Sequence, residues 1–304
     1  MSTALPLNMF QPFCEYQYMI QSSTLRGLAL GTLFACAFAS GAVAGDAPAV
    51  TKLNGKAAIA GTYGEQDNQD GEFGGLFLGS LTAPVTHDFG FQGDTVLGTR
   101  DGNEIAGIGG HFFWRDPAKG LLGITGSYLD INNSNATPDQ SVTRFGGEGE
   151  LYLGQFTVAV TSGYQNGSNV RDGYYGSATG YWYANDDLRF SLGATNDPVL
   201  NTAAVAGIEF QPRTMAMSGL TFFADATAGD NDYTTGQIGV RFYFGDDKSL
   251  KLRNRNDDPI ANLPGDAMTS ATAANQTPGQ TAAQECNARP GGWTWTGFSC
   301  LGDN

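Results

Sequence analysis

Histidine is nearly absent from this 304-residue chain, which carries only His87 and His111. A serine hydrolase needs a base within reach of its nucleophile, and transition-metal sites draw heavily on His and Cys, so material for either is thin. Charge is scarce as well: charged residues make up 15% of the chain, against about 25% in soluble domains. The balance is acidic, net −14, with no basic stripe to neutralise phosphates, which excludes nucleic acid as a partner. No segment reaches about 18 uninterrupted apolar residues, which excludes a transmembrane helix. Cofactor motifs are missing too. The G-x-G triplets lack a strand-to-helix context, and the acidic turn Asp67–Glu72 lacks the spacing of a calcium loop, so no cofactor and no metal are expected.

What is present is alternation. In the run from Thr235 to Phe244 the even positions are Gly, Ile, Val, Phe and Phe, while the odd ones are Thr, Gln, Gly, Arg and Tyr. A strand sends alternate side chains to opposite faces, so one face is apolar and the other carries Arg241. The pattern recurs in segments 53–63, 74–85, 89–98, 104–114, 121–131, 142–153, 156–165, 173–183, 188–195, 201–211, 219–228 and 234–244. About twelve strands of roughly 9–11 residues suit a tilted crossing of a bilayer, and an even number suits a closed barrel. The fold class expected is therefore all-β, a transmembrane antiparallel β-barrel over 52–244. Connections at one end are longer and rich in Asn, Asp, Gly and Ser; those at the other, such as Thr86-His87-Asp88 and Gly154-Gln155, are tight turns. Aromatics gather near strand ends, among them Phe112, Trp114, Tyr128, Trp182, Phe242 and Phe244.

Opposite the apolar face, the inferred lumen holds both signs of charge: Lys56, Arg144, Arg189 and Arg241 against Asp94, Glu148, Glu150, Glu209 and Asp225. Across water these charges would set the selectivity of a pore; in direct contact they would close it. The many Gly, Ala, Ser and Thr at lumen positions favour the pore. His111 falls on the lumen face and His87 in a turn, neither near the rim where a surface hydrolase would work, so no enzyme is expected.

The ends differ from the barrel. Residues 1–44 read as a signal peptide: Arg26 supplies the positive charge, Leu28–Ala39 the apolar core and Ala42-Val43-Ala44 the cleavage site. Met19 is an alternative start, and Leu33-Phe34-Ala35-Cys36 an imperfect lipidation motif at Cys36. Residues 45–51 form a short lead. After the barrel, 245–284 is expected to be a flexible linker, poor in apolar bulk. Residues 285–304 contain Cys286 and Cys300, the pair left after cleavage, which implies one disulfide in an exported protein. That closed loop carries Trp293, Trp295 and Phe298, read as a docking element.

Three stretches carry a resemblance: Gly109-Gly110-His111-Phe112-Phe113-Trp114-Arg115-Asp116-Pro117, Glu148-Gly149-Glu150-Leu151-Tyr152, and Gly239-Val240-Arg241-Phe242-Tyr243-Phe244-Gly245. They resemble outer-membrane barrel proteins of Gram-negative bacteria, and the last is similar to the terminal strand that barrel-assembly machinery recognises. Typical members end at that aromatic residue, whereas this chain continues from Gly245 to Asn304. The resemblance implies the outer membrane, with lipid and lipopolysaccharide around the barrel and both barrel ends in the periplasm. It does not cover the largely disordered periplasmic tail, whose aromatic loop suits docking to peptidoglycan, a periplasmic protein or the barrel mouth, with a disordered tail carrying an incidental staple as the alternative. The function expected is a porin-like passive channel for small hydrophilic solutes, with a closed structural or adhesive surface barrel as the alternative.

Overall fold

A computed structural model of the chain describes residues 47–65, 71–133, 139–213, 218–229, 233–273, 293–295 and 300–302. The signal segment, the alternative start and Cys36 lie outside the described residues. Twelve strands follow one another: β1 (Asn54–Glu65), β2 (Glu72–Pro84), β3 (Phe89–Arg100), β4 (Asn103–Asp116), β5 (Gly120–Asn132) and β6 (Gln140–Leu153), then β7 (Phe156–Ser168), β8 (Gly173–Asn185), β9 (Leu188–Asp197), β10 (Asn201–Phe210), β11 (Leu220–Gly229) and β12 (Thr234–Tyr243). Each pairs antiparallel with its neighbours, and β1 pairs with β12 from Lys56–Tyr243 to Glu65–Thr234, which closes the barrel. Closure leaves no strand edge with unpaired backbone groups, as hydrocarbon requires. All twelve expected segments are strands, most of them longer by a few residues than their alternation implies.

The period-2 pattern sorts side chains cleanly. Ile59, Ile108, Phe145, Leu192 and Ile238 stand outward, each 65–71% exposed, as a lipid-facing wall demands. Stacked or edge-on ring pairs mark its two borders. Phe89–Phe112, Trp182–Phe190 and Phe242–Phe244 lie toward the tight turns, and Tyr63–Phe73 and Tyr164–Tyr174 toward the longer loops. Such girdles sit where hydrocarbon meets headgroups. Because the strand count is even, the start of β1 and the end of β12 lie together at the end with the tight turns, called here the turn end. The opposite loop end includes the two-residue hairpin Asp101-Gly102, whose φ values of 48° and 77° match a turn that needs two left-handed residues.

The chain does not leave the barrel after β12. Gly245, with φ of 98°, turns it back, and two helices follow: α1 (Leu250–Asn256) and α2 (Leu263–Ala273). They occupy the lumen and its turn end. The stretch expected as a flexible periplasmic linker is thus ordered inside the barrel as far as Ala273, because wall groups satisfy a segment too poor in apolar side chains to fold alone. Residues 274–284 lie outside the described residues. A hairpin of β13 (Trp293–Trp295) and β14 (Cys300–Gly302) follows, with Trp295 opposite Cys300.

Candidate functional site

The lumen face comes from alternate residues of each strand, and every charged residue assigned to it from the sequence points there. Most of these groups contact one another or the plug. Glu209 on β10 is the centre of one network. Its Oε2 accepts from Arg189 Nη2 and Arg241 Nη1, both at 2.7 Å, while its Oε1 accepts from Thr221 Oγ1 at 2.8 Å and the Tyr243 hydroxyl at 3.1 Å. The two guanidiniums also lie over rings, Arg189 over Tyr181 and Arg241 over Phe223. A second network joins β3, β4 and β6: His111 Nε2 is 2.8 Å from Asp94 Oδ2, and His111 Nδ1 is 2.9 Å from Glu148. With a carboxylate at each ring nitrogen, His111 has no nitrogen free to activate a hydroxyl nucleophile. Arg144 donates to Gln165, lies 3.7 Å from Asp197 and covers the Tyr175 ring. Glu150 accepts from the Tyr152 hydroxyl at 2.8 Å, and Asp225 accepts from Gln237 Nε2 at 3.1 Å.

The rest of the site is the chain's own downstream segment. Around α1, Ser249 caps the first turn through Leu252 N. Arg253 donates to Gln211 Oε1, Asn254 Nδ2 donates to the Tyr183 hydroxyl at 3.1 Å, and Arg255 Nη2 donates to Phe156 O at 2.8 Å. All these partners belong to the turn end or the strand residues beside it. Leu250, Arg253, Asn254, Tyr183, Tyr243 and Arg115 are buried there, forming a closed layer. At its rim, the Lys52 ammonium donates to Asp246 Oδ1 at 2.6 Å and holds that carboxyl below the usual carboxylate range.

From α1 the chain climbs. Thr82 Oγ1 donates to Asp258 Oδ1 at 2.7 Å, and Lys56 Nζ donates to the carbonyls of Pro259 and Ile260. Gln92 Nε2 donates to Ala261 O at 3.2 Å, and Leu263 N donates to Asp94 Oδ2 at 3.0 Å. Asn262 Oδ1 accepts from Gly265 N at 3.1 Å, the capping bond of α2. The helix then packs on β3–β6. Gly107 and Gly109 of β4 make that approach possible: a Cβ on Gly107 would lie 2.8 Å from Pro264 Cβ, and one on Gly109 3.0 Å from Pro264 Cδ. Ala267 and Met268 finish in an apolar cluster with Leu76, Val96, Ile105, Leu129, Ile131 and Val142 near the loop end.

The small lumen residues therefore serve two ends. On the β3–β6 side they admit the helix. Toward β6–β12 they leave a cavity of about 270 Å³ with a mixed lining, Thr161, Ser177, Thr179 and Ser191 beside Val160 and Val205, with Asp266 of α2 on its near wall. The sequence reading missed the plug, including its cap Asn262, and its wall partners Arg115, Gln92 and Tyr183. One signal was available: Leu76, Val96, Ile105, Leu129, Ile131 and Val142 all fall on lumen positions, where water alone would not favour them. Of the docking tail, Cys286 and Phe298 lie outside the described residues. The side chains of Trp293, Trp295 and Cys300 are not described either, so the expected disulfide and docking element find no counterpart among the described contacts.

No protein-family model matches the chain, nor does any curated protein. Among solved structures it is similar to a KdgM porin in complex with disordered oligogalacturonate (TM-score 0.45, 10% identity, 62% of this chain and 99% of that one). It is also similar to the translocator domain of the autotransporter NalP from Neisseria meningitidis (TM-score 0.43, 13% identity, 72% and 95%). A third likeness is the outer membrane phospholipase A from Escherichia coli (TM-score 0.40, 13% identity, 65% and 91%). These proteins differ in activity, and what the chain resembles in them is the closed β-barrel fold alone.

Proposed function

We propose that the protein is a porin-like outer-membrane barrel for small hydrophilic solutes, held shut by its own C-terminal segment. The observation that supports this best is the cavity beside α2, with hydroxyl and charged groups on its wall. These suit passage of hydrated solutes, yet α1 and its buried layer close the turn end. Conduction then requires the segment after Gly245 to shift, and Arg144, Arg189, Arg241, Glu148, Glu150 and Asp225 bias what passes. In this reading the aromatic girdles meet lipid and lipopolysaccharide, the turn end faces the periplasm, and β12 with Phe244 engages the barrel-assembly machinery although it is not the chain's end.

Planar-bilayer recording tests it. The mature full-length protein is expected to be silent, and a variant ending at Gly245 to give discrete conductance steps. A truncated barrel that folds and inserts but stays silent refutes the channel. The paired lumen charges, chiefly the Arg189–Glu209–Arg241 network, would then favour the alternative, a closed structural or adhesive barrel acting through its loops.

A further inference from the structure

The direction of α2 decides which rim of the barrel its far end reaches. Successive contacts climb the wall. Residues 259 and 260 meet Lys56, two residues from the start of β1, and Leu263 meets Asp94 at mid-strand. Pro264 meets Gly107 and Gly109, and Met268 lies among Ile105, Ile131 and Val142, each within two residues of the loop end of its strand. Five more helical residues follow to Ala273, a further rise of about 7 Å at about 1.5 Å each. That carries the helix end to the loop rim.

We infer that the barrel threads its own C-terminal segment from the turn end to the loop end, so that the helix reaches Ala273 at the side of the long loops. In the orientation proposed above, that side is the cell exterior. Three groups hold the segment in transit. Lys56 binds its carbonyls, Asp94 accepts from the first helical amide, and the apolar cluster receives Met268. Glycines at 107 and 109 are what let a helix pass at that height.

Distance measurement between spin labels in detergent micelles tests the threading directly. Cys286 and Cys300 are replaced by serine, and Ala273→Cys is paired in turn with Asp101→Cys at the loop end and Ala118→Cys at the turn end, both in exposed turns. A 13-residue strand such as β5 tilted by about 40° rises about 33 Å. The 273–101 distance is therefore expected to be shorter than the 273–118 distance by at least about 15 Å. Equal distances, or a shorter 273–118 distance, overturn the inference. The readout involves neither conduction nor a membrane. A truncated barrel that stays silent in bilayers, with Ala273 still at the loop rim, would therefore remove the channel and leave the threaded segment intact.

Discussion

Glu209→Gln is the sharpest probe of how the lumen is held together. The substitution preserves shape and keeps an oxygen for the Thr221 and Tyr243 hydroxyls, while the amide nitrogen that replaces Oε2 cannot accept from Arg189 and Arg241, so it removes the charge and both guanidinium bonds. In the native lumen that one carboxylate oxygen receives two guanidinium bonds at 2.7 Å, and Glu209 itself is 1% exposed. Removing one member of a buried ion network costs roughly 3–5 kcal/mol, because the remaining charges lose their partner and keep their desolvation. Here the loss should fall at the lower end, about 3 kcal/mol, since the Arg241 side chain is 17% exposed to the cavity and water there screens the two guanidiniums from each other. Urea titration of the barrel in lipid vesicles, followed by tryptophan fluorescence and by loss of the unboiled band on gels, reads the change. A double-mutant cycle with Arg241→Met then isolates the pair and should return a coupling of about 1–3 kcal/mol. A loss under about 1 kcal/mol for Glu209→Gln, with no coupling, would refute the view that these charges are mutually neutralised.

Other predictions address the wall. Ile238→Arg places a charge on an outward residue at mid-strand, 70% exposed to lipid; it should lower folding stability in vesicles by about 2–4 kcal/mol. Ser191→Arg, directed into the cavity, should cost much less, and equal costs would mean the two faces are misassigned. Gly109→Val should displace α2 by crowding Pro264 and Leu263 while leaving the barrel closed, at a cost of about 1–3 kcal/mol. Its readout is faster hydrogen–deuterium exchange confined to 259–268, and protection unchanged from the native protein would count against the helix's position.

The barrel was legible in the sequence because a bilayer and a period of two together leave few options. Each strand must satisfy its backbone sideways and keep one face apolar, so Arg189, Glu209 and Arg241 could be assigned to the lumen from parity alone. Which charges meet was not legible, because pairing depends on stagger between strands; Arg189 and Glu209 are direct register partners on β9 and β10, a relation that alternation does not specify. The plug was hidden for a different reason. Leu263–Ala273 carries Pro264 and Gly265 in its first turn and Thr, Ser and Ala after it, a composition that reads as a linker. Its helix signals were local and slight: Asn262 as cap, Pro264 early in the first turn and Asp266 near the N-terminus. Its stability comes from the wall, whose apolar lumen positions receive Met268.

The seam between β1 and β12 sets an order of assembly. These two strands are separated by almost the whole barrel in sequence, so their ladder carries the largest loop-closure entropy and is the natural last step of folding. Lys56, which grips Pro259 and Ile260, sits on one side of that seam, and the chain that becomes the plug departs from the other. A segment ending in some thirty further residues is far easier to enclose while the seam is open than to thread afterwards. Enclosed in that order, the plug would place the Pro259 and Ile260 carbonyls beside Lys56 of the closing strand. Shortening the chain after Gly245 would then slow closure of the barrel as well as empty it.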